Sequence, residues 1–159
     1  MFEYEFKMAG NTATMIIINR KTNEILLGKR SDDSDAFAGW WSLPGGFLNV
    51  GDERLKTVAS RETMEECDLT IDEDAWTIFY LDDKPGSDPR YVQVVNNCFY
   101  AFIGDEEAAT AKPGDDLQEL KWVNTWEAHQ MKLAFAHNEI VMEFMLKTPR
   151  EKVNNFNSK

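Results

Sequence analysis

The sequence has little cysteine and histidine, and it lacks a long apolar run. Its two cysteines have no CxxC spacing, which indicates free thiols rather than a disulfide framework or a metal pair. Two histidines are too few for a His-rich metal site. No apolar run approaches the roughly 20 residues that span a bilayer. The start, MFEYEFKMAG, also lacks the pattern of a secretory signal, so we expect a cytoplasmic protein.

Positive charge is also scarce, and this narrows the class of partner. The chain carries 17 basic and 28 acidic residues, a formal net charge of −11. Such an excess of acid disfavours a nucleic-acid polymer, because a phosphate backbone needs a basic footprint. It equally disfavours an anionic membrane surface. What remains open is whether the carboxylates serve solubility alone or hold metal ions.

Length and patterning predict one domain of mixed α/β (α+β) class. A chain of 159 residues fits a single domain, here residues 1–148 followed by a tail, 149–159. We find no internal repeat and no Pro- or Ser-rich linker. Helices packed on the faces of a sheet are the expected architecture. The patterning predicts strands at 12–19, 25–30, 76–81, 91–103 and 119–123, a short strand that runs into a tight turn within 39–47, and helices at 54–67 and 135–147.

The first helix carries its acids in an unusual place. At three- and four-residue steps, its apolar stripe runs directly into Glu62, Glu65 and Glu66. One neighbouring cation, Arg61, cannot balance all of these carboxylates. Clustered carboxylate oxygens suit Mg²⁺ or Mn²⁺, whereas an ordinary solvated acidic face is the alternative.

A glycine pair before this helix favours the metal interpretation. Gly45 and Gly46 allow backbone amides to approach a ligand closely, and a helix N-terminus follows within a few residues. A phosphate would fit between those amides and a metal ion held by the carboxylates.

This segment resembles the Nudix box, G-x5-E-x7-R-E-U-x-E-E-x-G-U, in which U is aliphatic. There are three departures: Asp52 is an insertion in the loop, Thr63 replaces an aliphatic residue, and Asp68 replaces a glycine. Asp52 could instead take the first acidic position, but the spacing to Arg61 favours Glu53. Asp tolerates the left-handed conformation, so we still expect the helix to stop at Asp68. The matching positions are Gly46, Glu53, Arg61, Glu62, Glu65, Glu66 and Leu69.

The resemblance implies the Nudix fold, a mixed β-sheet sandwiched between α-helices, and a Mg²⁺-dependent hydrolase, with Mn²⁺ as the alternative ion. Its substrates would be nucleoside diphosphates linked to another group. The metal ligands it implies are Glu62, Glu66, Glu65 and the carbonyl of Gly46, with Glu65 as ligand or base. Arg61 would orient Glu53 through an ion pair.

Glu119 lies shortly before Trp122 and is similar to a late acid that acts as base or ligand in many members. An exposed strand carboxylate is the alternative for it.

Three weaker stretches resemble ADP-ribose pyrophosphatase-like members: DKPGSDPR (83–90), GDDLQELKWV (114–123) and KLAFAHNEI (132–140). They make ADP-ribose or a related nucleotide sugar the first choice of substrate. A (d)NTP pyrophosphohydrolase and a non-catalytic ADP-ribose sensor are the alternatives. Dimers are common in this group, so a homodimer comes into consideration.

Substrate contacts are predicted at Gly45, Gly46 and three larger side chains, each with a structural alternative. Arg30 faces phosphate or pairs with a nearby aspartate. Arg90 contacts phosphate through its fork or pairs with an aspartate. Trp41, beside Trp40, stacks on a base or packs in the core. His137 is interpreted as a helix-start cap or packing residue.

Overall fold

A seven-stranded mixed sheet organises the computed structural model, which describes residues 8–51 and 53–148. Four helices accompany it: α1 (Leu55–Cys67), α2 (Asp105–Ala108), α3 (Thr125–Gln130) and α4 (His137–Lys147). Short 3-10 turns lie at Glu73–Ala75 and Ala134–Ala136. The strands are β1 (Gly10–Asn19), β2 (Ile25–Arg30), β3 (Trp41–Ser42), β4 (Gly45–Phe47), β5 (Thr77–Asp82), β6 (Val94–Ile103) and β7 (Leu117–Val123).

Strand β1 lies at the centre of the sheet. Its run of β-branched residues suits a strand covered on both faces. It runs parallel to β6 and antiparallel to β2 and β4. The main order is β3-β2-β1-β6-β5, with β4 joined to β1 and β7 to β2.

Two apolar clusters, one on each face of the sheet, form the core. Because successive strand residues point to opposite faces, Met15 and Ile17 of β1 join the α1 cluster with Val58. Ile16 and Ile18 join the other cluster, with Ile140 and Phe144 of α4 among its members. The expected α+β class and the sheet sandwiched between helices are therefore confirmed.

The termini of the helices differ in how well the sequence predicts them. Helix α1 stops where expected, because Asp68 adopts the left-handed conformation at φ 54°. Helix α4 begins at His137 rather than at the predicted residue 135. The expected start is wrong because Phe135 and Ala136 have φ of 55° and 58°, outside the helical region. The short helices α2 and α3 are not predicted.

Some expectations fall on residues outside the described ranges. These are the insertion at Asp52 and the tail 149–159. Both cysteines, Cys67 and Cys98, are buried and free. Within the described ranges, no helix has the length and apolar character that crossing a membrane requires.

Candidate active site

A cavity of about 330 Å³ lies between the C-terminal half of α1, the Gly45–Phe47 strand and the start of α4. Acidic groups and basic groups both reach it. The titratable side chains on its wall are Arg30, Arg61, Glu62, Glu66, Asp88, Arg90, Tyr91, Asp115, Asp116 and His137.

Three carboxylates converge at the helix side of the cavity. One oxygen each from Glu62, Glu65 and Asp115 lie within 4.8 Å of one another. Asp115 reaches this point because its loop packs on the end of α1, where the Gly114 N–H donates to the Glu66 carbonyl at 3.0 Å. A Cβ at Gly114 would come 2.4 Å from the Glu65 carbonyl oxygen, so only glycine permits this approach.

Glu66 lies beside this group and is more deeply buried than Glu65. Its Oε1 accepts a hydrogen bond from the Gly45 N–H at 3.1 Å. Burial raises the pKa of Glu66 well above its ordinary value, and the charge of Glu62 raises it further. Burial also raises the pKa of Glu62 and of Asp115. Buried carboxylates this close together are stabilised when they bind a proton or a cation.

Arg61 ties the acidic helix to the loop before it. Its Nε donates to Glu53 Oε1 at 2.6 Å and one terminal nitrogen to Glu62 at 2.7 Å. The other terminal nitrogen donates to the Phe47 carbonyl at 3.0 Å. The Arg61 hydrogen bond lowers the pKa of Glu53, although burial opposes it. Arg61 thus compensates part of the acidic charge while fixing the position of Glu62.

This donor set fits a hard divalent cation. Carboxylate oxygens predominate, the pKa values of the buried acids are raised, and the single arginine is already shared among Glu53, Glu62 and Glu65. Gly46 leaves the space in which Glu62 sits, since a Cβ there would fall 2.1 Å from Glu62 Oε1. Among the described residues, the converging triplet consists of Glu62, Glu65 and Asp115, and it does not include Glu66, which the resemblance implies as a ligand.

Positive charge and aromatic surface gather at the other side of the cavity. The half-buried Arg30 lies with its guanidinium carbon 4.8 Å from the centre of the Phe135 ring. Its Nε donates to the Ala36 carbonyl at 2.9 Å, and none of the ion pairs within the described residues includes it. Burial, and then the charge of Arg90, lowers the pKa of Arg30. Such a guanidinium is suited to receive an anionic ligand.

Arg90 also lines the cavity but is already paired. It donates to both oxygens of the buried Asp88, at 3.0 and 2.9 Å. Arg90 therefore forms the ion pair with an aspartate that the sequence analysis gives as its alternative role. Both members of the pair still line the cavity.

Two predicted site residues do not reach the cavity. Glu119 is exposed on β7, opposite Lys29 of β2, and it is not on the wall. Trp41 packs against the core cluster beneath α4, which is the structural alternative for it. The other predicted residues, Arg30, Gly45, Gly46, Arg61, Glu62, Glu66 and Arg90, line the cavity, whereas Glu53 and Glu65 join it through Arg61.

Sequence reasoning missed Asp115, Phe135 and the part that His137 plays. Asp115 lies in the GDDL stretch, where an acid after glycine gives a turn signal but no hint of the distant α1. His137 is not a helix cap, because Ala136 occupies the N-cap position of α4 and no side chain caps the helix there. The Nδ1 of His137 instead accepts a hydrogen bond from the Leu43 N–H at 3.0 Å.

Comparison with known proteins places these features in a family. The sequence model of the NUDIX domain matches residues 8–144. The chain is 33% identical over 130 residues to an ADP-ribose pyrophosphatase of Methanocaldococcus jannaschii, a match that covers 80% of this chain and 69% of that protein. The chain therefore belongs to the NUDIX family, and it is a hydrolase of phosphorus-containing anhydrides.

Solved structures show the same architecture. A mutT/nudix family protein from Listeria innocua has a TM-score of 0.76 and 30% identity, over 93% of this chain and 99% of that one. A MutT/nudix family protein from Enterococcus faecalis, at 26% identity and a TM-score of 0.75, matches 90% of this chain, which spans 63% of its length. The NUDIX domain of Shewanella oneidensis NrtR, crystallised with ADP ribose, has a TM-score of 0.74 at 23% identity, over 93% and 90% of the two chains, and shares the fold.

Proposed function

We propose that this protein is a Mg²⁺-dependent pyrophosphohydrolase that cleaves the diphosphate of ADP-ribose or a related nucleotide sugar, with Mn²⁺ as the alternative ion. One observation carries this proposal: Glu62 and Asp115, whose carboxylates converge with that of Glu65, line the same cavity as the guanidinium of Arg30, which forms no ion pair within the described residues. A diphosphate bridged between a metal ion and an arginine fits that arrangement. The name of the Methanocaldococcus relative supports ADP-ribose in particular.

The metal would be held by Glu62, Glu66 and Asp115 with the Gly46 carbonyl, with Glu65 as a further ligand or as the base, and when bound it would neutralise the diphosphate charge. Arg30 binds a phosphate oxygen from the opposite side of the cavity. Arg61 keeps Glu62 in place through Glu53 and is a positioning residue.

In the reaction a water oxygen attacks one phosphorus, and the bond from that phosphorus to the bridging oxygen breaks. A carboxylate takes the proton of the water, and Glu65 is the first choice for this base because its side chain is 46% exposed at the rim of the acidic group. From ADP-ribose the products are AMP and ribose 5-phosphate. Glu119 lies outside the cavity and takes no part in this scheme.

The decisive experiment is a Mg²⁺-supported screen over nucleotide sugars, nucleoside triphosphates, dinucleotides and NADH with the products identified. We expect AMP and ribose 5-phosphate from ADP-ribose. A monophosphate and pyrophosphate from a triphosphate, with ADP-ribose left intact, would favour the (d)NTP alternative. Binding of ADP-ribose without hydrolysis of any substrate would favour the sensor.

Matched variants test the site itself. Glu66→Gln should lower kcat/KM by several orders of magnitude, because charge neutralisation dominates phosphoryl chemistry. Glu106→Gln makes the same change of charge on exposed α2 and should leave kcat/KM unchanged. Wild-type turnover by Glu66→Gln would overturn the metal assignment.

A cytoplasmic location and a homodimer are further parts of the proposal. Sedimentation equilibrium of the purified protein tests the second, and we expect the mass of a dimer.

A further inference from the structure

His137 is a buried side chain on the cavity wall that the proposed mechanism leaves unused. It is 5% exposed and stands at the first position of α4. Its Nδ1 accepts the Leu43 N–H at 3.0 Å, one residue before the Pro44–Gly45 turn that leads to the acidic helix. An Nδ1 that accepts cannot carry the ring proton, so a neutral His137 has its proton on Nε2.

The Nε2–H of this tautomer, on the cavity wall, finds no acceptor within the described residues, and it is not among their buried polar atoms left without a partner. Among the hydrogen bonds of the described residues, the Leu43 bond is the one that His137 makes. A packing residue at this place would need no second polar atom, and an apolar ring would leave the Leu43 N–H without its acceptor. The imidazole therefore accepts a hydrogen bond from the Leu43 N–H at Nδ1 and offers a donor at Nε2.

The backbone around His137 holds the ring in a fixed position. Phe135 and Ala136, directly before it, both adopt the left-handed conformation, which costs non-glycine residues free energy. The Phe135 ring packs against the Arg30 guanidinium. The centres of the Phe135 and His137 rings lie 5.6 Å apart. Arg30, Phe135 and His137 thus form one rigid wall.

The electrostatic environment keeps the ring neutral. Burial, and then the charge of the neighbouring Arg30, lower the pKa of His137 to about 3. His137 is consequently neither a general base near neutral pH, because its Nδ1 is engaged, nor a cation competing with Arg30 for the same anion.

We propose that His137 is a substrate-binding residue whose Nε2–H donates a hydrogen bond to a substrate oxygen next to the phosphate bound by Arg30. This step rests on the proposed function, since it assigns a ligand atom within the same cavity. The acceptor is an uncharged or partially charged oxygen, either a non-bridging phosphate oxygen or a hydroxyl of the adjoining ribose.

Two substitutions separate the two edges of the ring. In His137→Asn the amide oxygen can replace Nδ1 as acceptor for Leu43, but the distal donor is lost. In His137→Gln the longer side chain places an amide N–H near the position of Nε2, but the Leu43 acceptor is lost. We expect kcat/KM to fall about tenfold in His137→Asn and to be largely restored in His137→Gln.

Stability should follow the opposite order, with a higher melting temperature for His137→Asn than for His137→Gln. A residue that only packs would make activity follow stability. Activities ranked in the same order as the melting temperatures would overturn the proposal.

Nitrogen-15 spectra of the histidine rings give a readout that needs no turnover. The chain has two histidines, so the spectrum of His137→Gln identifies the signals of His137. We expect the Nε2–H tautomer in the free protein at neutral pH and a shift of the Nε2 signal when ligand is added with Mg²⁺. A shift with inorganic pyrophosphate identifies a phosphate oxygen, and a shift with ribose 5-phosphate alone identifies a ribose hydroxyl.

Proton on Nδ1, or an unmoved Nε2 signal at saturating ADP-ribose, pyrophosphate and ribose 5-phosphate, would overturn the assignment. Failure of the proposed function looks different, since wild-type protein would then hydrolyse no nucleoside diphosphate derivative while the tautomer and the pyrophosphate response still report on His137.

Discussion

Burial has opposite effects on acids and bases in this cavity, and both effects reduce charge. It raises the pKa of Glu66 and lowers that of His137, so each group is driven toward its neutral form. The acids regain their charge at the lowest cost when a cation is close. The histidine has no such compensation and remains a neutral donor. The two sides of the cavity thus offer different groups, acids suited to a cation on one and a neutral hydrogen-bond donor on the other.

Thr63, between the two buried acids, offers a test of packing. It is fully buried, and its hydroxyl has no hydrogen-bond partner among the described residues. Thr63→Val keeps the shape and removes the orphaned hydroxyl, so we expect the free energy of unfolding to rise by about 1 kcal/mol. Urea unfolding measures it. Thr63→Ser, which keeps the hydroxyl and loses the methyl group, should be destabilised, and a Val variant no more stable than wild type would contradict the prediction.

The lowered pKa of His137 makes stability depend on pH in a defined window. Its ordinary value is 6.5 and its folded value about 3, so between them the unfolded chain binds more protons at this residue than the folded protein. The stabilisation is therefore complete above pH 6.5 and is lost as the pH falls, by about 1.4 kcal/mol per pH unit.

The comparison with His137→Gln isolates this contribution, because the carboxyl groups are common to both proteins. Unfolding free energies measured from pH 7.5 down to pH 5, in about half-unit steps, should show the difference between the two proteins shrinking as the pH falls. A difference that stays constant over this range would exclude a buried neutral histidine.

At the scale of elements, the site is built where α1 meets β4 and the loop before β7. Local periodicity was sufficient to predict α1 and its acidic stripe, because these depend on neighbours in sequence. Its end at Asp68 was predicted from the glycine position of the Nudix box and from the tolerance of Asp for the left-handed conformation. Asp115 could not be predicted in the same way. It reaches Glu62 and Glu65 only through the Gly114 contact with the end of α1, which joins parts of the chain far apart in sequence.

The predicted start of α4 is wrong for a related reason. The apolar spacing of residues 135–147 is helical, but the interactions of Phe135 with Phe37 and Arg30 hold its backbone in the left-handed region. Tertiary contacts thus override the local helical pattern at Phe135, which lies on the cavity wall.

The two glycines of β4 should separate stability from activity. A Cβ at Gly45 would lie 2.7 Å from the Ala13 carbonyl oxygen, so Gly45→Ala pushes β4 away from β1 and should cost about 2 kcal/mol of stability. A Cβ at Gly46 meets the end of the Glu62 side chain, at 2.1 Å from Oε1, and that side chain can rotate away.

We therefore expect Gly46→Ala to remain within about 1 kcal/mol of wild type while kcat/KM falls about a hundredfold, because a displaced ligand loses its catalytic geometry. Thermal melts and hydrolysis rates of both variants check this. Similar losses of stability and activity in the two variants would contradict the assignment of Gly46.

Over the whole molecule, the net charge of −11 has two different origins. Much of the excess is exposed and keeps the protein soluble, as in α2, where Asp105, Glu106 and Glu107 follow one another. A smaller part, Glu62 and Glu66 on α1, is buried and shielded from solvent. The sequence distinguishes these acids because they continue the apolar stripe, but it does not single out Asp115, an exposed carboxylate that the fold brings to Glu62 and Glu65.

The buried part predicts how metal changes global stability. A cation that binds the folded state alone stabilises it by RT ln(1 + [L]/Kd), about 2.7 kcal/mol at a hundredfold excess over Kd. We expect the melting temperature of the wild type to rise when Mg²⁺ replaces EDTA, measured against NaCl of equal ionic strength so that screening of the net charge is matched. Glu62→Gln should lose this rise, and in EDTA it should melt no lower than wild type, because burial favours a neutral side chain here and the amide oxygen can still accept from Arg61. Glu106→Gln has the same net charge as Glu62→Gln and should keep the full rise in melting temperature with Mg²⁺. If all three proteins respond alike, Mg²⁺ acts on the general acidic surface rather than on the Glu62 site.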